Sequence, residues 1–155
     1  MLRISRLTDY ATVVLAQMAR APETVHTAAD LAAHTHLARP TVSKLLKQFV
    51  REGLLTSYRG AHGGYLLARS PERISAAEII DMIEGPMAMT ECSLEDRHCE
   101  LEAVCGVGHH WQRINRAIRD ALEEVTLADL ARSSAVPLQR MNLRRAVTGE
   151  VHVDR

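Results

Sequence analysis

A mostly α-helical fold, with one β-hairpin near its middle and a long helix toward its C-terminal end, is predicted by three features of these 155 residues. Apolar residues make up 46% of the chain and aromatic residues 3%, a balance that suits aliphatic helical cores better than a β-sandwich. Apolar side chains recur at three- and four-residue spacing over 4–20, 40–52, 75–84 and 109–125. Between the second and third of these stretches, two short apolar runs flank a glycine-rich turn.

The first helix is predicted over 4–20, with Ile4, Leu7, Ala11, Val14, Leu15 and Met18 inward and Thr8, Asp9 and Thr12 toward a polar edge. The segment Ala21-Pro22-Glu23-Thr24 breaks it. Thr27 is a good N-cap for a short second helix that ends near Thr35, with Asp30 close to completing a capping box. After the tight turn His36-Leu37-Ala38, Pro40 suits the first turn of a third helix. This helix buries Val42, Leu45, Leu46 and Phe49 and exposes Thr41, Ser43, Lys44, Lys47 and Arg51, and Gly53 ends it. Two short helices joined by a three- or four-residue turn, the second bearing hydroxyls and cations, form a helix-turn-helix pattern. The runs 54–58 and 65–68 enclose Arg59-Gly60-Ala61-His62-Gly63-Gly64 and predict a hairpin wing. Its tip carries Arg59 and His62, suited to a minor groove.

Ser75 and Glu78 predict a capping box for the helix 75–84, which Gly85-Pro86 stops. From His109 the apolar period returns: Trp111, Ile114, Ile118, Leu122 and Val125 form an a/d seam on a narrow stripe, as expected of a helix that pairs with its twin. The organisation expected is therefore a winged helix-turn-helix DNA-binding domain over 1–85, a cysteine segment over 86–108, a dimerisation helix over 109–130 and a disordered tail over 131–155.

Net charge is zero, but its distribution is uneven. Residues 1–73 carry 10 Lys/Arg against 5 Asp/Glu, residues 74–128 carry 4 against 11, and the rest carry 5 against 3. A basic first half points to a polyanionic partner. No apolar run is long enough for a membrane span and the N-terminus has no signal-peptide pattern, so a cytoplasmic protein is expected. No nucleophile elbow, P-loop or dinucleotide glycine motif occurs, and an enzyme is not expected. A protein–protein adaptor built on the long helix alone would need neither the wing nor the basic half.

All three cysteines lie in one stretch, Cys92, Cys99 and Cys105, spaced C-x6-C-x5-C and followed by His109 and His110. Zinc knuckles favour C-x2-C pairs, which are absent. Wider spacing suits an iron–sulfur cluster, for which thiolates are the usual ligands and His can replace one. A metal-free thiol redox switch and inert cysteines are the other readings.

The segments Leu7-Thr8-Asp9-Tyr10, Pro40-Thr41-Val42-Ser43-Lys44, Arg59-Gly60 with Gly63-Gly64-Tyr65, and three cysteines after Gly85-Pro86 resemble the IscR/NsrR family of bacterial winged-helix regulators over residues 1–130. LRISRLTDYATVVL, EGPMAMTECS, WQRINRAIR and VTLADLA are most similar to its SUF-system iron–sulfur assembly regulators. The resemblance implies a homodimer on palindromic promoter DNA, most often a repressor, with one cluster per subunit, expected to be 2Fe-2S. It implies Cys92, Cys99 and Cys105 as ligands. For the fourth it offers Asp9 in the LTDY motif, contributed by the partner's first helix, with His109 as rival. Members with a His ligand carry it three residues after the last cysteine, where this chain has Gly108. Thr41, Ser43, Lys44 and Lys47 are the expected major-groove contacts, Arg59 and His62 the wing contacts, and Arg6 and Tyr10 the phosphate contacts.

Overall fold

In a computed structural model of the chain, residues 3–90 and 105–132 are described. Cys92, Cys99 and the tail from 133 onward lie outside them. Helix α1 spans Arg6–Ala19, α2 Ala28–Thr35, α3 Arg39–Arg51, α4 Ala76–Glu84, α5 Gly108–Glu123 and α6 Leu127–Ala131. Strands β1, Leu55–Tyr58, and β2, Gly64–Leu67, pair antiparallel with Leu55 opposite Leu67 and Tyr58 opposite Gly64.

Local chemistry sets the ends of these elements. Ser5, Thr27, Ser75 and Thr126 each accept the N–H three residues on, so α1, α2, α4 and α6 start on a hydroxyl cap. His36 closes α2 in the left-handed region, φ 56°, which creates the sharp helix-turn-helix corner. The buried faces of α1, α2 and α3 (Ala11, Val14, Leu15, Met18, Leu31, Val42, Leu45, Leu46 and Phe49) meet Leu54, Leu55, Ile74, Ile79 and Leu127 in one core.

The wing is held by a third extended piece. The His26 N–H donates to the Tyr65 carbonyl and the Tyr65 N–H to the His26 carbonyl, both at 2.8 Å. Gly64 makes the approach possible, because a Cβ there would lie 2.5 Å from the His26 carbonyl oxygen.

Two expectations change. The helix expected over 109–130 is two helices: α5 stops at Glu123, and Thr126 with Asp129 forms a capping box that starts α6 afresh. Leu127 then enters the core, fully buried, and its N–H donates to the Ile74 carbonyl at 2.7 Å. The capping box expected at Ser75 is half formed, since Ser75 caps Glu78 while the Glu78 carboxylate pairs with Arg69 instead.

Candidate nucleic-acid interface and metal centre

Along α3 the heptad-like burial of Val42, Leu45, Leu46 and Phe49 forces the opposite face outward. Pro40, Ser43, Lys44, Lys47 and Arg51 line one open groove on that face. Lys44, Lys47 and Arg51 are exposed, while Ser43 and Thr41 are half-buried. By helical spacing Thr41 lies on the flank with Gln48, off the lysine face. Arg59 and His62 are exposed at the wing, beside exposed Tyr58. Arg6 and Asp9 are exposed on the first turns of α1, and Tyr10 is half-buried against the core. Sequence reading missed Arg39 and Tyr58, both exposed beside this surface. Their signal was position: Arg39 opens the recognition helix and Tyr58 ends the first wing strand.

The end of α4 ties several elements together. Glu84 accepts from the Ser5 N–H at 3.2 Å and from the Thr8 hydroxyl. Hydrogen bonds from Ser5 first, then Thr8, hold its carboxyl below the usual glutamate range. Thr8, the buried polar residue of α1, is thereby satisfied. Asp81 pairs with Arg119 of α5 at 2.9 Å, raising the guanidinium's already high pKa. Asn115 of α5 accepts the Met89 N–H at 3.1 Å and donates to the Met87 carbonyl at 3.5 Å.

Cys105 is half-buried and stands just ahead of α5. That helix has no side-chain cap, and its first turn carries no acid. A Cβ at Gly108 would meet Cys105 Sγ at 3.7 Å. Gly108 therefore lies alongside the sulfur and brings no side chain to it. His109 is exposed and belongs to a different face of α5, lining a groove with Arg113, Arg116 and Asp120. Among the described residues no three Cys, His, Asp or Glu side chains converge. Within a single chain Asp9, Cys105 and His109 thus make no site by themselves.

One flank of α5, Asn115 and Arg119, docks on α4 and the segment after it. The adjoining stripe is uncovered in the single chain: Val107 is 58% exposed, Trp111 39% and Ile114 43%. No helix among the described residues is long and apolar enough to cross a membrane.

The family model described as "Rrf2: Iron-dependent Transcriptional regulator" matches residues 4–133. The HTH-type transcriptional regulator CymR of Bacillus subtilis is 30% identical over 131 residues, covering 84% of this chain and 90% of CymR. The solved structure of CymR, described as the global cysteine regulator of that organism, has a TM-score of 0.66 at 32% identity, covering 84% of this chain and 97% of its own. The HTH-type transcriptional regulator NsrR of Bacillus licheniformis is 29% identical over 132 residues, covering 83% of this chain and 92% of NsrR. The structure of T. potens IscR has a TM-score of 0.61 at 28% identity, covering 83% of this chain and 85% of its own. The chain belongs to the Rrf2 family: it is a winged-helix transcriptional regulator and not an enzyme.

Proposed function

We propose that this regulator is a cytoplasmic homodimer that binds palindromic promoter DNA and represses iron–sulfur assembly genes of the SUF type according to the state of an iron–sulfur cluster, most simply 2Fe-2S, on Cys92, Cys99 and Cys105. One observation carries the sensing half. Both flanks of the cysteine segment are anchored on the same helix: residues 87 and 89 hydrogen-bond to Asn115 of α5, and Cys105 precedes its N-terminus. Whatever binds the thiolates acts on α5 directly.

The residues present suit a cluster. Cys105 stands at the uncapped N-terminus of α5, and the position three residues after it is Gly108, which has no side chain to offer as a ligand. A fourth ligand from outside the segment is then required, which favours Asp9 of the partner subunit, with His109 as rival. His109 lies on a face of α5 away from that position. When bound, the cluster supplies a redox-labile and ligand-labile centre. The chain's own contribution is to hold the segment against α5, and the uncovered stripe of Val107, Trp111 and Ile114 is the surface for the second copy. Lys44, Lys47 and Ser43 enter the major groove, Thr41 lies at the edge of that contact, and Arg59 and His62 reach the minor groove. Arg6 faces the backbone phosphates.

The test is metal analysis of protein purified without oxygen. Iron and sulfide in equal amounts with visible absorption are expected. Cys99→Ala should abolish both in a folded dimer, and Asp9→Ala should weaken retention more than His109→Ala. Gly108→His should restore retention to Asp9→Ala. Full iron in Cys99→Ala sinks the ligand assignment. Stoichiometric zinc, or neither metal nor colour, would move the sensing half to a structural zinc site or a thiol redox switch. The similarity to a structure of Staphylococcus aureus CymR in an oxidized form, at 26% identity and a TM-score of 0.63, makes the thiol switch the second reading.

A further inference from the structure

Near the C-terminal end of α4 the Met82 carbonyl has no partner within its own helix, and the recognition helix α3 supplies one. In an α-helix each carbonyl accepts from the N–H four residues on. For Met82 that residue is Pro86, which has no N–H. The Met82 carbonyl accepts instead from Gln48 Nε2 of α3, at 2.7 Å.

The same helix end holds the segment that leads into the cysteines. The Gly85 N–H closes on the Asp81 carbonyl at 2.9 Å. The Asp81 carboxylate takes the Met87 N–H at 3.2 Å with one oxygen and Arg119 of α5 at 2.9 Å with the other. Asn115 of α5 clamps the backbone at Met87 and Met89. A continuous series of directional bonds therefore runs from α5 through residues 87–89 and the end of α4 to Gln48. The buried side chains of α3 are apolar (Val42, Leu45, Leu46, Phe49), and the hydrophobic term behind their burial is non-directional and does not by itself single out one register. An amide bonded to one specific carbonyl does.

We propose that Gln48 is a positioning residue of the DNA-binding surface. It sets α3 against the end of α4 and so makes specific DNA affinity depend on the arrangement of residues 87–90 and of α5 behind them. Gln48 need not touch DNA. The proposal rests on α3 being the recognition helix, and it stands whether the cysteines hold a cluster, zinc or nothing.

The test is a double-mutant cycle on the full chain. The probes are a duplex selected in vitro from random sequence by the wild-type protein, and a scrambled duplex of the same composition. Asn115→Ala, remote from DNA, should weaken binding to the selected duplex about fivefold, the scale of one net hydrogen bond. It should leave the scrambled duplex unchanged. Gln48→Met should cause a similar loss, and the double variant should bind like Gln48→Met alone, because the effect of Asn115 has no route left. Equal fold-losses for Asn115→Ala in both backgrounds overturn the proposal, as does an unchanged affinity in either single variant. Gln48→Glu keeps the shape and loses the donor, and it replaces Gln48→Met if the latter lacks native helicity. Iron is assayed on the same samples: its absence refutes the cluster alone, whereas a wild-type protein that selects no duplex refutes the DNA surface and the proposal together.

Discussion

Replacing Gly64 with Ala should damage the wing far more than the loss of one glycine suggests. The added Cβ would stand 2.5 Å from the His26 carbonyl oxygen, 2.8 Å from Val25 Cγ1 and 3.1 Å from the His26 carbonyl carbon. A carbon normally stays about 3.3 Å or more from a carbonyl oxygen, so the two chains must part by roughly 0.8 Å. The paired bonds between His26 and Tyr65, now 2.8 Å, would then stretch to about 3.6 Å, beyond hydrogen-bonding range. Two lost bonds cost about 1 kcal/mol each, and overpacking costs about 1–3 kcal/mol more where neighbours cannot yield. Reduced freedom of the unfolded chain returns about 0.4–1 kcal/mol. The net expectation is a loss of about 2–4 kcal/mol in urea unfolding followed by circular dichroism at fixed protein concentration. Gly106→Ala is the control, because nothing lies within 4 Å of its Cβ position and the effect should stay within about 0.5 kcal/mol. Equal stabilities for the two variants would refute the claim that strand crossing, and not glycine content, makes Gly64 necessary.

Leu127→Ala removes a fully buried side chain that α6 delivers to the core and should cost about 2–5 kcal/mol in the same assay. His36→Gly relieves a Cβ held at φ 56°; a relief of about 1–2 kcal/mol against a glycine entropy cost of about 0.5–1 kcal/mol predicts slight stabilisation. Glu84 has a lowered pKa, so the stability it adds is full above the ordinary glutamate value and is lost as pH falls through its lowered value. Acid titration of Glu84→Gln should therefore show a shallower loss of stability below that ordinary range than wild type, and identical slopes would refute the assignment. Lys47→Ala should weaken the selected duplex more than the scrambled one, as a major-groove contact that reads base edges would; equal losses on both would make Lys47 a phosphate contact instead. Arg59→Ala should cost more on the selected duplex; equal losses on both would make Arg59 a phosphate contact only.

Much of this was legible in the residues because the determinants are local. The spacing of Ala11, Val14, Leu15 and Met18, the hydroxyl caps at Thr27 and Ser75, and the glycine turn between the wing strands each act within a few positions. The break between α5 and α6 is equally local: Thr126 and Asp129, just past the end of the apolar seam at Val125, form the capping box that starts α6. The contacts that escaped are non-local. Nothing near Gln48 announces that Pro86 leaves a carbonyl for it, and Arg119 reads as a solvated cation until α4 brings Asp81 to it. Around the candidate metal centre, the cysteine spacing was plain, yet the closeness of the Gly108 Cβ position to Cys105 depends on how the chain enters α5.

The two-residue bridge between Ser75 and Thr126 has a mechanical meaning. The Ala76 N–H donates to the Val125 carbonyl at 2.8 Å and the Leu127 N–H to the Ile74 carbonyl at 2.7 Å, so the start of α4 and the start of α6 are fixed to each other. The far end of α4 is held as well, where Glu84 takes Ser5 and Thr8 of α1 and the Met82 carbonyl takes Gln48 of α3. A beam pinned at both ends cannot swing; a load on the exposed stripe of α5 enters it through the Asp81–Arg119 pair and is shared between α1 and α3.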